Sequence, residues 1–251
     1  LRENTGEIEA AQEDKLPELV EEDDIRGDLQ IHTEYSDGET SIREMAERAD
    51  EKAYEYILIT DHGPSLSVAQ GPDEERLREQ MQEIEYVNEE VDVNVLCGVE
   101  ANIRGGELDI DREVLEELDV VVAALHNSVS NPTEQIVQVL NDYPVDILAH
   151  PYNRKINSRE PQDLNIEKVV QAAAENNVAL EINSQPARLD LPWDQVKEHR
   201  EKVKYVISTD AHRPSEMDYM HLGVSQARRG WCEKENILNA QKLESMLDYF
   251  S

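Results

Sequence analysis

The sequence predicts an α/β fold: seven parallel strands alternating with helices and closed into a (β/α)7 barrel. Three observations predict it. From Ile25 onward, short apolar runs recur between amphipathic segments, the pattern of parallel β-α units. Some of these runs, above all Val120 to Leu125, are almost wholly apolar, which suits strands covered on both faces. Each run also ends at or near a His, Asp or Glu, and a barrel would bring all those strand ends to one rim. An open doubly wound sheet is the alternative, but its strands fan out and would not share one point.

In chain order, strand one covers residues 26–32 and ends at His32, with the turn Ser36-Asp37-Gly38 beyond it. Ser41 and Glu44 have capping-box spacing and open a helix that runs to about Lys52. Residues 56–60 form a buried strand ending at Asp61-His62, and a long acidic helix follows over 73–90. Strand three covers 93–98, with Glu100 just past it and a turn at Gly105-Gly106. A short helix at 111–118 leads to a strand at 119–125, ending at His126. A helix at 132–141 precedes strand five, 146–149, which ends at His150-Pro151. A helix at 166–176 leads to strand six, 178–182, which carries Glu181 and ends at Asn183. A helix at 192–203 leads to strand seven, 205–209, ending at Asp210-Ala211-His212. The remainder, with Arg228-Arg229-Gly230-Trp231 and 239–250, is expected to be helical and to cover one end of the barrel. Residues 1–24 differ in kind: acid-rich, poor in apolar residues and ending in Glu21-Glu22-Asp23-Asp24. They read as an acidic linker or the tail of an upstream region, leaving 25–251 as one domain.

Lysine and arginine total 24 against 56 aspartates and glutamates, a net charge of −32. Such a chain repels nucleic-acid phosphate at low salt. However, the acids are spread over helix surfaces, Arg outnumbers Lys and there is a single Phe. That composition fits a halophilic protein, since the screening length falls to ~3 Å at about 1 M salt. The charge then reports the solvent, and a local basic site can still hold phosphate. Cys97 and Cys232 are the two cysteines and have no paired spacing, so neither a disulfide framework nor a thiolate zinc site is supported. No apolar run reaches ~18 residues and no signal peptide is visible. A cytoplasmic location without membrane association is expected.

The strand ends deliver, in order, His32 with Asp37, Asp61 with His62, Glu100, His126, His150, Glu181 with Asn183, and Asp210 with His212. Five of the seven histidines fall there; His199 and His221 lie elsewhere and read as surface or helix-packing residues. Imidazole and carboxylate without thiolate suit Zn²⁺, Mn²⁺ or Fe²⁺. Eight candidate ligands (His32, Asp37, His62, Glu100, His126, His150, Asp210 and His212) exceed the needs of one catalytic ion, so two or three divalent ions are implied. Such clusters activate water and clamp the attacking and leaving oxygens of a phosphate ester.

Gly27-Asp28-Leu29-Gln30-Ile31-His32-Thr33, Ser36-Asp37-Gly38, Thr60-Asp61-His62 and Ser208-Thr209-Asp210-Ala211-His212 resemble the motifs of the polymerase and histidinol phosphatase (PHP) superfamily. The resemblance covers about residues 25–240. Glu181-Ile182-Asn183, Arg188-Leu189-Asp190-Leu191 and Ala227-Arg228-Arg229-Gly230-Trp231 resemble the branch found as the C-terminal domain of bacterial and archaeal family-X DNA polymerases. Leu1-Arg2-Glu3 with Gly6-Glu7-Ile8-Glu9 resembles the junction after the polymerase portion, which is not among these residues. The resemblance implies a distorted seven-stranded, TIM-barrel-like fold with a trinuclear metal centre. It implies a first metal position at His32, Glu100 and Asp210, with Gln30 where many relatives have His. The second is implied at Glu100, His126 and His150, and the third at Asp37, His62 and His212, with Asp37 where some relatives use His. An amide is a poor Zn²⁺ ligand, so Gln30 makes the first position weak, water-completed or suited to Mn²⁺. Glu100, Asp210 and His212 are the expected catalytic residues.

Arg154, just after His150-Pro151, and Arg188 are the candidates for binding phosphate, because Arg contacts it bidentately; a surface ion pair is the alternative for each. Arg228 and Arg229 read equally well as pairing with acids at the barrel end. Trp193 and Trp231 have the shape to stack on a base, but packing in the core or at the rim fits them better. Asp61, Glu181 and Asn183 are left off the ligand set, Asp61 as a support behind it. The leading expectation is a metal-dependent phosphoesterase acting at DNA 3′ ends, a 3′-5′ exonuclease in repair end processing, with DNA and an upstream polymerase region as partners. A small-molecule phosphatase of the histidinol-phosphatase type is the first alternative. An inactive module scaffolding a polymerase is the second.

Overall fold

The computed structural model describes residues 3–66 and 69–251; Leu1 and Arg2 of the junction-like motif lie outside the described residues. The expected strands are present as β1 (Gly27–Ile31), β2 (Tyr56–Ile59), β3 (Asn94–Arg104), β5 (Val120–Ala124), β6 (Ile147–Leu148), β7 (Ala179–Asn183) and β8 (Tyr205–Ser208). They pair in chain order and all in parallel. The short β4 (Glu107–Leu108) is an addition. Gly105 and Gly106 take φ values of 65° and 87°, a conformation glycine adopts without penalty, and β4 returns antiparallel along the end of β3.

Glu100 lies inside β3 rather than past its end. The first half of β3 pairs with β2, and Gly98 to Asn102 then pair with β5, so the backbone stays extended through Glu100. Gly98 sits at the changeover because a Cβ there would meet Val120 O at 2.6 Å and Leu58 Cδ1 at 2.8 Å.

The barrel is nearly closed. β1 and β8 meet at the rim through the Ile31–Ala211 bridge, where His32 N–H donates to Ala211 O at 2.8 Å. Nearer the base, Asn239 stands in for the missing ladder. Its Nδ2 donates to Gly27 O and Ile207 O, both at 2.8 Å, and its Oδ1 accepts from Ile207 N–H at 2.9 Å.

Strand alternation divides the core into two layers. Leu29, Tyr56, Leu58, Leu96, Val122 and Val206 belong to a cluster that fills the barrel. Ile57, Ile59, Val121, Leu180 and Ile207 belong to a second cluster shared with the surrounding helices. In chain order the helices begin with α1 (Glu7–Gln12), which buries no residue, α2 (Ile42–Glu51) and α3 (Glu74–Asn88). They continue with α4 (Arg112–Leu115), α5 (Pro132–Asp142), α6 (Ile166–Glu175), α7 (Trp193–His199), α8 (Met220–Arg229) and α9 (Leu243–Phe250). The Ser41–Glu44 capping box forms at the start of α2. The expected helix over 239–250 is interrupted: Leu238–Ala240 is a single 3-10 turn, because Asn239 is committed to the sheet, and α9 follows. Met246 of α9 joins the barrel-filling cluster and closes the base.

The acidic N-terminal stretch packs back on the barrel. Val20 is buried and donates its N–H to Cys232 O at 3.0 Å, and Leu19 bridges Glu233. No described helix is long and apolar enough to cross a membrane.

Candidate metal centre

The alternation that places Leu58 inside the barrel continues to Thr60 and His62, and that of Leu96 continues to Glu100. Ala179 is followed on the same face by Glu181 and Asn183, and Val206 by Ser208 and Asp210. A polar layer therefore lies directly above the apolar one. Two of its members have left-handed backbone, His150 at φ 28° and Asp210 at φ 53°. Such residues cost ~1–3 kcal/mol each and persist where their surroundings fix them, often at functional sites.

All eight candidate ligands come together, with the buried Glu100 at the middle. His62 Nδ1 and His150 Nε2 each lie 2.9 Å from a Glu100 oxygen, His126 Nε2 lies at 3.3 Å and His32 Nε2 at 3.7 Å. His32 Nε2 is also 3.1 Å from Asp210 Oδ1. Asp37 Oδ1 reaches His62 Nε2 at 3.5 Å and His212 Nε2 at 3.4 Å. His32 stacks on both His62 and His212, with ring centroids 4.5 Å apart.

These contacts fit divalent cations better than a hydrogen-bonded network. Both Glu100 oxygens are buried without a hydrogen bond, as are Nε2 of His32, His126 and His150 and Nδ1 of His62. Leaving a buried polar group unsatisfied costs ~1–3 kcal/mol, and several face one another here. Ligand atoms of His32, Asp37, His62 and His212 lie within 4.8 Å of one another, as do those of His62, Glu100 and His126. His62 thus joins two groups, whereas the resemblance implies it for one. The far side of two rings is fixed as metal-ligating histidines require. His126 Nδ1 faces Asn102 Oδ1 at 3.1 Å, and His212 Nδ1 faces the Asp210 carbonyl at 2.8 Å, leaving each Nε2 lone pair free. Gln30 is fully buried and both its amide atoms lack a partner.

Burial pushes the Glu100 carboxyl up, but His126 and His62 outweigh it and hold the group well below its usual range. Burial likewise opposes ionisation of Asp210, and His32 and Arg188 reverse the effect. For Asp37 burial is outweighed by His212, His62 and His32, and the carboxyl falls to about 2. His212 resists burial through Asp37 and Asp210 and rises to about 9. Burial and then Arg188 lower His150 to about 4. Glu181, driven by burial and the Asp210 charge, lies well above the ordinary carboxylate range.

The candidate ligands rest on a frame of buried polar groups. Asp61 accepts from Thr33 N–H at 2.8 Å, Thr33 Oγ1 at 2.6 Å and Ser36 Oγ at 2.5 Å, which ties the Asp37 turn to β2. Glu181 Oε2 accepts from His150 N–H at 2.7 Å, and Asn183 Nδ2 donates to Asp210 Oδ2 at 3.1 Å. Asp28 accepts from Thr209 N–H at 3.0 Å and from the Thr209 hydroxyl. Asn102 and Asp28 are contributors that sequence reasoning passed over; a carboxylate inside an apolar strand was the available signal for Asp28.

The centre opens into a cleft of about 550 Å³. Arg188 lines it, with Nε 3.4 Å from Asp210 Oδ2. Arg154 is engaged elsewhere: its guanidinium donates to the carbonyls of Arg188, at 3.0 Å, and Leu189. The neighbouring Lys155 and Arg159 line the cleft instead. The Trp rings are covered by cations, Trp231 by Lys197 at 3.6 Å and Trp193 by Arg229 at 4.8 Å. His199 is buried in the helix layer and His221 is exposed.

The PHP domain profile matches residues 28–185. The DNA polymerase/3′-5′ exonuclease PolX of Bacillus subtilis is 42% identical over 253 residues, covering 98% of this chain and 44% of that protein. A protein of Acetivibrio thermocellus described as a probable phosphatase is 36% identical over 153 residues, 58% of this chain and 59% of its own. The chain spans about half the length of these curated relatives. Among solved structures, the histidinol phosphate phosphatase of Lactococcus lactis, complexed with zinc, L-histidinol and phosphate, has a TM-score of 0.57. At 14% identity, over 82% of this chain and 93% of that one, this is a likeness of fold.

Proposed function

This chain belongs to the PHP domain family, and we propose that it is a metal-dependent phosphodiesterase acting at DNA 3′ ends, a 3′-5′ exonuclease for repair end processing. The convergence of four imidazoles on the unsatisfied Glu100, with Asp210, Asp37 and His212 gathered beside them, carries the proposal. The donor set is suited to two or three ions of Zn²⁺, Mn²⁺ or Fe²⁺. His32, Glu100 and Asp210 would hold one, Glu100, His126 and His150 another, and Asp37, His62 and His212 a third. Bound there, the ions would supply a nucleophilic water at neutral pH and neutralise charge on the phosphoryl oxygens.

The chain's own residues do the rest. Glu100 offers its two oxygens to different imidazole groups, so one carboxylate links neighbouring positions. Asn183 and Arg188 fix the orientation of Asp210. Arg188, at the cleft wall, is placed to contact a phosphoryl oxygen, and Arg154 holds the Arg188 loop through its carbonyls. The near-complete coverage of this chain by the match to PolX supports DNA as substrate and an upstream polymerase region as partner. The phosphatase-described relative supports a second reading, hydrolysis of a small phosphate monoester. A scaffolding role without activity is disfavoured, because Gln30 is the one departure from the ligand pattern.

The test is digestion of a 5′-labelled oligonucleotide with added Mn²⁺ or Zn²⁺, alongside a small phosphomonoester. The expected result is stepwise shortening from the 3′ end that chelation abolishes. Turnover of the monoester with an intact oligonucleotide would replace the DNA assignment with the phosphatase one.

A further inference from the structure

The loops after β6 and β7 carry three cations placed beside the metal centre. Lys155 N–H donates to Arg159 O at 3.0 Å, and Arg159 N–H donates back to Lys155 O at 2.8 Å. This reciprocal pair makes a tight hairpin in which the two residues stand directly opposite and project to the same side. Like charges so placed destabilise a hairpin. Arg188 joins them from the other loop. The buried Asn153 accepts from Arg159 Nη1 at 2.6 Å and from Arg188 Nη1 at 3.3 Å through the single oxygen Oδ1.

The arrangement is braced. Asn153 Nδ2 donates to His126 O at 2.7 Å, Ile156 N–H donates to Ala187 O at 2.6 Å, and Arg154 clamps the Arg188 and Leu189 carbonyls. No carboxylate pairs directly with the outer two: among the described residues, neither Lys155 nor Arg159 forms an ion pair, Asp210 and Asp37 act on Lys155 only from a distance, and Arg188 has Asp210 alone. That is unusual company in a chain with 56 acids and 24 bases. Burial and then Arg188 lower the proton affinity of both Lys155 and Arg159. Three mutually repelling cations, held in place by a fixed frame and lining the cleft, describe a preorganised anion site.

We propose that Lys155 and Arg159, beside Arg188, form a second phosphate site, which grips the phosphodiester adjacent to the scissile one and commits the centre to the end of a nucleic-acid strand. The inference rests on the phosphodiesterase reading and extends it. Arg188, 3.4 Å from Asp210, lies at the metal centre and reaches the scissile group. The hairpin pair lines the same cleft, with Arg159 exposed to solvent. A small ester has no second phosphate to place there, whereas a strand always does. Charge-assisted contacts to phosphate are among the stronger hydrogen bonds available at a surface.

The experiment compares an all-phosphate oligonucleotide with one whose linkage immediately 5′ of the scissile bond is a neutral methylphosphonate. The parent protein is expected to lose at least tenfold in kcat/KM on the neutral linkage. The Lys155→Ala/Arg159→Ala double variant is expected to lose at least tenfold on the all-phosphate strand and less than twofold more on the methylphosphonate. Its loss on bis(p-nitrophenyl) phosphate should be far smaller than its loss on the strand. Arg159→Lys should retain most of the strand preference, and Arg159→Gln should not. Equal parent rates on the two strands would overturn the second site, and that arm needs no variant. Equal losses by the double variant on strand and small diester would overturn it too. A parent protein that hydrolyses small monoesters and no strand would instead remove the phosphodiesterase reading, and the second site with it.

Discussion

Burial alone would protonate the carboxylates in this barrel; their neighbours decide the outcome. Glu100 and Asp210 are surrounded by imidazoles and Arg188, which keep them ionised. Asp146, at the start of β6, is governed by burial, only partly offset by the Val121 N–H it accepts at 2.7 Å, and rises to about 6. Because its folded value lies above its unfolded one, its contribution to stability is complete below about pH 4 and is lost as the pH rises through about 6. Asp146→Asn keeps an oxygen for Val121 and removes that loss. The unfolding free energy of the variant should therefore gain on the parent by ~1–2 kcal/mol between pH 4 and pH 7, after discounting for partial exposure. Urea melts across that range would check this; a gap that stays constant or favours the parent would refute it. The candidate ligands were readable because most stand at or just past the end of an apolar run, although Glu100 lies inside β3 and Asp37 on the turn beyond β1. The direction of Arg154 was not readable. Adjacent loop residues Arg154 and Lys155 look equivalent in sequence, and only the carbonyls offered by residues 188 and 189 turn one inward and leave the other at the cleft.

At the scale of elements, strand positions followed from apolar runs, while lengths depended on partners far away in sequence. β3 outlasts its apolar run because β5 pairs with its second half. The C-terminal helix breaks because Asn239 serves the sheet. Asn239 is the clearest test of how the barrel closes. Asn239→Ala removes three hydrogen bonds at a fully buried position and leaves Gly27 O, Ile207 O and Ile207 N–H without partners. At ~1–3 kcal/mol for each unsatisfied group, the variant should lose about 3–5 kcal/mol of stability after local relaxation. Denaturant unfolding measures this. A loss under ~1 kcal/mol would mean that β1 and β8 are held by other means. The Ser41–Glu44 capping box, by contrast, was fully local and so fully visible in the sequence.

For the whole molecule, the barrel was legible because every strand end carried chemistry and only a closed sheet reconciles them. The acidic surface is a separate matter. The net charge of −32 is spread over helices, turns and the N-terminal stretch, where isolated exposed ion pairs add little. Self-repulsion should dominate in dilute buffer and fade as salt shortens the screening length. The melting temperature is therefore expected to climb from dilute to molar KCl. A monotonic fall would remove the high-salt interpretation of the composition while leaving the proposed metal centre untouched.

The central claim is that the barrel gathers its strand ends so that one carboxylate, Glu100, holds cations together for phosphodiester hydrolysis. Glu100→Gln keeps the size of the side chain and removes its charge. The most direct measurement is the rate of 3′-end degradation of a labelled oligonucleotide by parent and variant, with metal content determined on the same preparations. The account predicts lower metal content and a rate reduced by at least ~10²-fold. A variant that degrades the strand at near the parent rate with the same metal content would contradict it.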